Sequence, residues 1–263
     1  VTVARVAAGS LVIEATPLCR ERIVASPDSH GNTHCSVAVA VRVSEPIKID
    51  IWSDIACPWC YIGKRNLEGG IAALGADGPA VEVEYHSFEL SPDTPADFVG
   101  STTEYLAKAK GMPVPQVEAM LEHVTGIAAK AGLDYHFDEV KHTKTLKAHE
   151  LLHFAKAHGK QLELTERLLK AYFEEGGYVN RVDDLVSYAV EVGLDADGAR
   201  AALENGTFAS DVQADIDQAR AYGINGVPFF VIDGKYGVSG AQPSEVFTQA
   251  ITQVAGEREQ VGA

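Results

Sequence analysis

Apolar and polar positions divide this chain into two strand-bearing regions separated by a long helical one. The apolar run Ile47 to Trp52 reads as a buried strand that ends in a polar turn at Ser53 and Asp54. A helical pattern then begins at Cys57, continues through Lys64, Leu67 and Ile71 to Leu74, and stops at Gly75-Ala76-Asp77-Gly78-Pro79. Val81 to Tyr85 alternates apolar and charged residues, as a half-buried strand does. Strand, helix and strand in this order form a parallel crossover, and Ser91-Pro92-Asp93-Thr94-Pro95 closes it.

From about Thr102 to Tyr222 nearly every apolar residue falls at helical spacing. The expected helices are Gln116 to Ala131, Thr143 to His158, Gln161 to Glu175, Val182 to Val192, Ala196 to Glu204 and Ala209 to Tyr222, with glycines at most of their ends. No repeat period is present, so this is a compact helical insert and not a solenoid. Strand character returns at Val227 to Asp233, Asp233-Gly234 signals a hairpin, and Tyr236 to Ser239 returns. A last helix opens at Gln242-Pro243-Ser244-Glu245 and runs through Val254. The division is therefore a 1–45 extension, a 46–98 half with the cysteines, a 99–223 helical insertion, a 224–256 second half and a 257–263 tail that is expected to fray.

Composition changes this picture little. A 46% hydrophobic and 22% charged make-up is that of a globular chain with ample core. The formal net charge of −15 argues against nucleic acid or an anionic membrane as partner. No apolar run reaches the roughly 18 residues of a membrane span. The first 45 residues hold Cys19 and Cys35 but no sustained period and no basic-then-apolar export signal. They read as a weakly structured extension, an opening valine fits a start set upstream of a native one near residue 43, and the expected location is the cytoplasm.

Chemistry concentrates at Cys57-Pro58-Trp59-Cys60. One helical turn places the two Cα atoms about 5 Å apart, within the roughly 4.4–6.8 Å a disulfide needs. Pro58 suits the first helical turn, where its missing N–H costs nothing. The free N–H groups and positive dipole end there favour a thiolate on Cys57, the attacking sulfur, while Cys60 lies one turn deeper as the resolving thiol. Half of a zinc site is the competing reading, but Cys19, Cys35, His30 and His34 are irregularly spaced as further ligands. A CxxC between strand and helix reads as redox chemistry.

Three stretches together resemble the FrnE-like branch of the DsbA thioredoxin-fold family: Cys57-Pro58-Trp59-Cys60-Tyr61-Ile62-Gly63-Lys64, Gly226-Val227-Pro228-Phe229-Phe230-Val231, and Val238-Ser239-Gly240-Ala241-Gln242-Pro243. The resemblance covers about Ile47 to Ala255. It implies an α/β thioredoxin-like fold with an all-helical domain inserted between its βαβ and ββα halves. It further implies that Val227–Pro228 is cis and lies against the cysteines, leaving the Val227 peptide groups to pair with an extended substrate, with Pro58 and Trp59 beside it. Hydroxychromene carboxylate isomerases of the same fold usually have serine where Cys57 stands, so the intact pair favours redox exchange. Some members carry a further cysteine pair near the carboxyl end, whereas no cysteine follows Cys60 here.

Other constellations have blander explanations. His149-Glu150-Leu151-Leu152-His153 spells the HExxH of zinc proteases, with Glu174 or Glu175 as a conceivable third ligand. The helix resembles one that the FrnE-like branch has here, so the motif is read as accidental, no metal is expected, and His149 is expected to face the cysteines. Asp54 and His149 are the tuning candidates. Phe88, Tyr85, Phe229 and Phe230 are assigned to core. The resulting expectation is a disulfide oxidoreductase with a redox-active disulfide and no bound cofactor, glutathione serving as a candidate co-substrate. Its partners would be a thiol- or disulfide-containing protein or small molecule, and a homodimer is the assembly to test for. The rivals are a glutathione-dependent isomerase or transferase for an aromatic small molecule, and a redox-regulated holdase.

Overall fold

The computed structural model describes residues 4–5, 45–95 and 100–261. The sheet order is β1-β5-β4-β2-β3. Strand β2 (Ile47–Ser53) lies parallel to β3 (Val81–Ser87) on one side and antiparallel to β4 (Phe229–Ile232) on the other, and β4 pairs with β5 (Tyr236–Ser239) in a hairpin. Asp233 and Gly234 both take the left-handed conformation that the two-residue turn requires, as the dipeptide predicts. A two-residue strand β1 (Ala4–Arg5) pairs with the free edge of β5. The remainder of the expected extension, with Cys19 and Cys35, lies outside the described residues.

Between β2 and β3 runs α1 (Pro58–Ala72). After β3 come seven helices: α2 (Thr102–Lys110), α3 (Val114–Lys130), α4 (Leu146–Ala157), α5 (Gln161–Glu174), α6 (Val182–Glu191), α7 (Ala196–Asn205) and α8 (Ala209–Ala221). The chain then returns to the sheet and ends in α9 (Ser244–Val261). This is the order that the resemblance implies, two sheet-bearing halves separated by a helical insert. Among the described residues no helix is long and apolar enough to cross a membrane.

Boundaries differ from the pattern where side chains are used for something other than continuing the element. Helix α4 starts at Leu146 and not Thr143, because Thr143 is buried before the helix and Thr145 is its cap. Strand β4 begins at Phe229, two residues late, since the cis Val227–Pro228 peptide makes the preceding turn. Helix α9 continues past the 257 boundary to Val261, where Arg258 donates to the Glu45 carbonyl at 2.6 Å and pairs with Asp233.

The period-2 pattern of β2 divides its neighbours. Ile47, Ile49 and Ile51 pack with Leu67 of α1 and with Phe247, Ile251 and Val254 of α9. Lys48, Asp50 and Trp52 point to the other face, where Lys48 stays exposed and the insert covers Trp52, which packs on Ala219 and donates its ring N–H to the Asp215 carbonyl at 3.1 Å. A second, larger core fills the insert and takes in Ile55, Tyr61 and Ile62 from the sheet half. Helix α1 is thus shared by both cores, which fixes its first turn at the seam between them.

Candidate active site

Cys57 caps α1 in an extended conformation, Pro58 is its first helical residue, and the pair sits beyond the carboxyl end of β2. That is where open α/β sheets gather their chemistry, because strand ends there leave a crevice lined by helix N-termini. Both thiols are free and buried, each about 2% exposed. Their surroundings differ. The Cys57 thiol donates to the Val227 carbonyl at 3.4 Å and lines a large cavity, whereas Cys60 lies behind it and accepts from the Asp54 backbone N–H at 3.5 Å. Burial, reinforced by the adjacent Cys57, pushes the Cys60 thiol well above its ordinary range.

The opposing wall is the Val227–Pro228 turn, with its peptide bond cis. Its approach to α1 depends on Gly63, since a Cβ there would lie 2.9 Å from Pro228 Cγ and 3.3 Å from the Phe230 ring. Trp59 is 37% exposed, an unusual setting for so large an apolar surface, and Leu90 is exposed beside it on the cavity rim.

Asp54 is fully enclosed under the site. Its Oδ2 accepts from the Leu90 N–H at 2.7 Å, its Oδ1 accepts from the Ala56 N–H at 3.3 Å, and His149 Nε2 from α4 faces Oδ1 at 3.4 Å. Burial works against ionisation, yet the His149, Leu90 and Thr145 hydrogen bonds hold the carboxyl below its usual range. His149 therefore reaches the cysteine turn through Asp54, next to the face it was expected to meet. The other HExxH residues go elsewhere: Glu150 pairs with Lys147, and His153 meets Ser87 Oγ at 3.1 Å and Asp215 Oδ2 at 3.0 Å. Glu175 is taken by Arg167, and Glu174 accepts from the Asp134 N–H.

Several residues at the site carry no sequence signal. Tyr135, from the loop after α3, donates to the Pro58 carbonyl at 2.7 Å and so ties the insert to the first turn of α1. One turn on, Lys64 and Arg65 both pair with Glu166 of α5, and Tyr61 donates to the same carboxylate at 2.7 Å. Lys64 is only 7% exposed, so Glu166 and Glu68 meet its charge in place of solvent. A further ionic cluster joins Asp50, Glu84 and His86, whose ligand atoms lie close enough to hold a cation. Lys48 already spans Asp50 and Glu84 at 3.0 and 2.9 Å, and Lys156 also pairs with Glu84, so cationic side chains occupy that role.

Residues 48–252 match the model of the DSBA-like thioredoxin domain. The chain is 34% identical over 213 residues to the uncharacterized protein YwbO of Bacillus subtilis, covering 78% of this chain and 96% of that one. A probable DsbA oxidoreductase from Streptomyces coelicolor superposes with a TM-score of 0.75 at 43% identity, over 80% of this chain and 91% of that one. A 2-hydroxychromene-2-carboxylate isomerase shares the fold alone, at 14% identity and a TM-score of 0.61, over 82% of this chain and all of its own.

Proposed function

Because the chain belongs to the family of DSBA-like thioredoxin domains, we propose that it is a thiol–disulfide oxidoreductase in which Cys57 attacks and Cys60 resolves. The carrying observation is the asymmetry of the pair: Cys57 caps the helix and faces the cavity, and Cys60 lies behind it under Asp54. In the reductive direction the Cys57 thiolate attacks one sulfur of a substrate disulfide, and the other sulfur leaves as a thiolate. The resulting mixed disulfide is broken when the Cys60 sulfur, having lost its proton, attacks Cys57 Sγ and expels the second substrate thiol. The reverse sequence oxidises a substrate dithiol.

The surrounding groups serve those steps. Cys57 stands at the N-terminus of α1, among the free amide N–H groups of the first turn. Burial raises the Cys60 thiol, so it does not compete with Cys57 as the sulfur that attacks the substrate. Val227, with its carbonyl beside Cys57, is the backbone against which an extended substrate would pair, and Pro58, Trp59 and Pro228 flank it. Asp54 and His149 act as positioning residues through the Asp54 backbone N–H on the Cys60 sulfur. An isomerase using Cys57 to activate glutathione would leave the buried Cys60 idle, so the redox reading uses more of the site. The exchange needs no bound cofactor, and we place it in the cytoplasm with glutathione as a candidate co-substrate.

Trapping tests the assignment. Cys60→Ser is expected to accumulate Cys57-linked mixed disulfides with glutathione or a protein substrate, and Cys57→Ser is expected to accumulate none, as read by intact-mass spectrometry. Equal trapping by both variants, or insulin disulfide reduction that survives Cys57→Ser, would overturn it.

A further inference from the structure

Beside Cys57 opens a cavity of about 580 Å³, walled by α2, α3, α5, the first turn of α1, the segment after β3 and the stretch from Phe137 to His142. That volume lies within the roughly 300–1,000 Å³ of small-ligand sites and is more than a side chain of a bound peptide would fill. Its lining is mainly aliphatic and aromatic, as at Leu106, Met120, Val124, Phe137 and Phe173. Among the described residues no carboxylate lines it, although the chain as a whole carries a net charge of −15.

Ser91, Thr102, Lys110 and His123 add polar groups to the lining, and one wall carries a linked polar network. There Tyr105 OH meets Thr94 Oγ1 at 2.9 Å, His142 Nε2 meets the same oxygen at 3.4 Å, and Tyr172 OH meets His142 Nδ1 at 3.3 Å. Burial moves His142 down to about 4, so this wall stays uncharged at neutral pH. Val227 does not line the cavity. Cys57 thus stands between two different surfaces: a backbone carbonyl suited to an extended chain on one side, and an enclosed apolar chamber on the other.

We infer that this chamber binds the organic body of a small-molecule disulfide, aromatic or comparably apolar and uncharged or anionic, and presents its sulfur to Cys57. The inference rests on the oxidoreductase reading above and names its substrate class. For a symmetric disulfide RSSR, the Cys57 thiolate attacks one sulfur, the S–S bond breaks, and RS⁻ leaves with the bonding pair. Cys60 then attacks Cys57 Sγ, and the second RS⁻ leaves. The two protons lost by the cysteines end on two RSH, the substrate gains two electrons, and the protein is left with a Cys57–Cys60 disulfide. A dithiol reductant returns it to the starting state.

Bis(carboxybenzyl) disulfide and 4,4′-dithiodibutyrate share carboxylates and alkyl-type leaving thiols and differ in the ring, so they serve as probes, with dithiothreitol as reductant and insulin as protein substrate. Each rate is divided by that of free dithiothreitol with the same probe. The wild type is expected to favour the benzylic probe by roughly tenfold or more, the scale set by burying one ring. Ala109→Trp and Leu106→Trp, which fill the chamber from α2, are expected to remove most of that preference. If either variant fails to fold, protection of Cys57 from iodoacetamide by a redox-inert carboxybenzyl thioether is the deciding measurement on the wild type. Equal enhancement of both probes, a preference that survives filling, or no protection by the thioether would overturn the inference. Failure to reduce any of the three disulfides would instead overturn the oxidoreductase reading itself.

Discussion

Single residues carry two kinds of chemistry here, the exchange proposed at the cysteines and charge clasping beneath the sheet. In the clasp, His86 stacks on Trp52 with ring centroids 4.5 Å apart, while its Nδ1 meets Asp215 Oδ1 at 2.9 Å and its Nε2 meets Asp50 Oδ1 at 2.8 Å. Glu84, His153 and Ser87 complete the surroundings, and Lys48 and Lys156 reach them through Glu84. Burial opposes charge on His86, but the two aspartates outweigh it and raise it from its ordinary 6.5 to about 9. A group raised in the folded state stabilises fully below its unfolded value and loses that contribution as pH climbs through the folded one. The stability tied to His86, on the order of 2–3 kcal/mol, is therefore present below about pH 6.5 and gone above about pH 9. His86→Gln is expected to lower stability at pH 6 and to flatten the decline between pH 7 and 10, measured by urea unfolding at each pH. A parallel decline in both proteins would remove His86 from the clasp. None of this was legible beforehand: Asp50, His86 and Asp215 sit on three elements with no shared spacing. The cysteine pair at the start of α1 and the cis bond before Pro228 were legible, because the first is a local motif and the second came with the family resemblance.

At the scale of elements, α1 governs how the site is held. Leu67 faces the sheet core, and Tyr61 and Ile62 face the insert core, so one helix registers both bodies against the cysteines. Its contact with the Pro228 turn has no room for a side chain at Gly63. Gly63→Val is expected to move that turn away from Cys57 and to lower disulfide-reductase turnover by roughly tenfold or more, with the helical content by circular dichroism retained. Turnover equal to wild type would show that the Val227–Pro228 wall does not contribute to exchange. The sequence pattern located α1 and the strands well, because a two-residue period on β2 and an apolar stripe on α1 are strong signals. It located α4 and the end of α9 less well, since Thr143, Thr145 and Arg258 are set by contacts with distant parts of the chain.

For the whole molecule, the matched domain spans residues 48–252, and among the described residues the cores, the cysteine pair and the cavity are built from residues beyond 44. Removing residues 1–44 is expected to leave melting within a few degrees and insulin reduction within about twofold, since among the described residues the truncation takes a two-residue edge strand alone. A soluble truncation without activity would bring Cys19 or Cys35 into the cycle. The cavity itself could not be foreseen, because α2, α3 and the 137–142 stretch meet only in three dimensions. The topology that brings them together has a further consequence, for the order of assembly. Strand β2 pairs with β4, Ile51 against Phe230, although the entire insert lies between them in the chain. Such a pairing is distant in sequence and slow to find, unless the intervening helices first condense and shorten the loop to be closed. During synthesis Cys57 emerges from the ribosome well before Val227 exists. The nascent chain therefore passes through a stage in which its cysteines are made but unshielded, and the opposing wall of the active site is the last part to arrive.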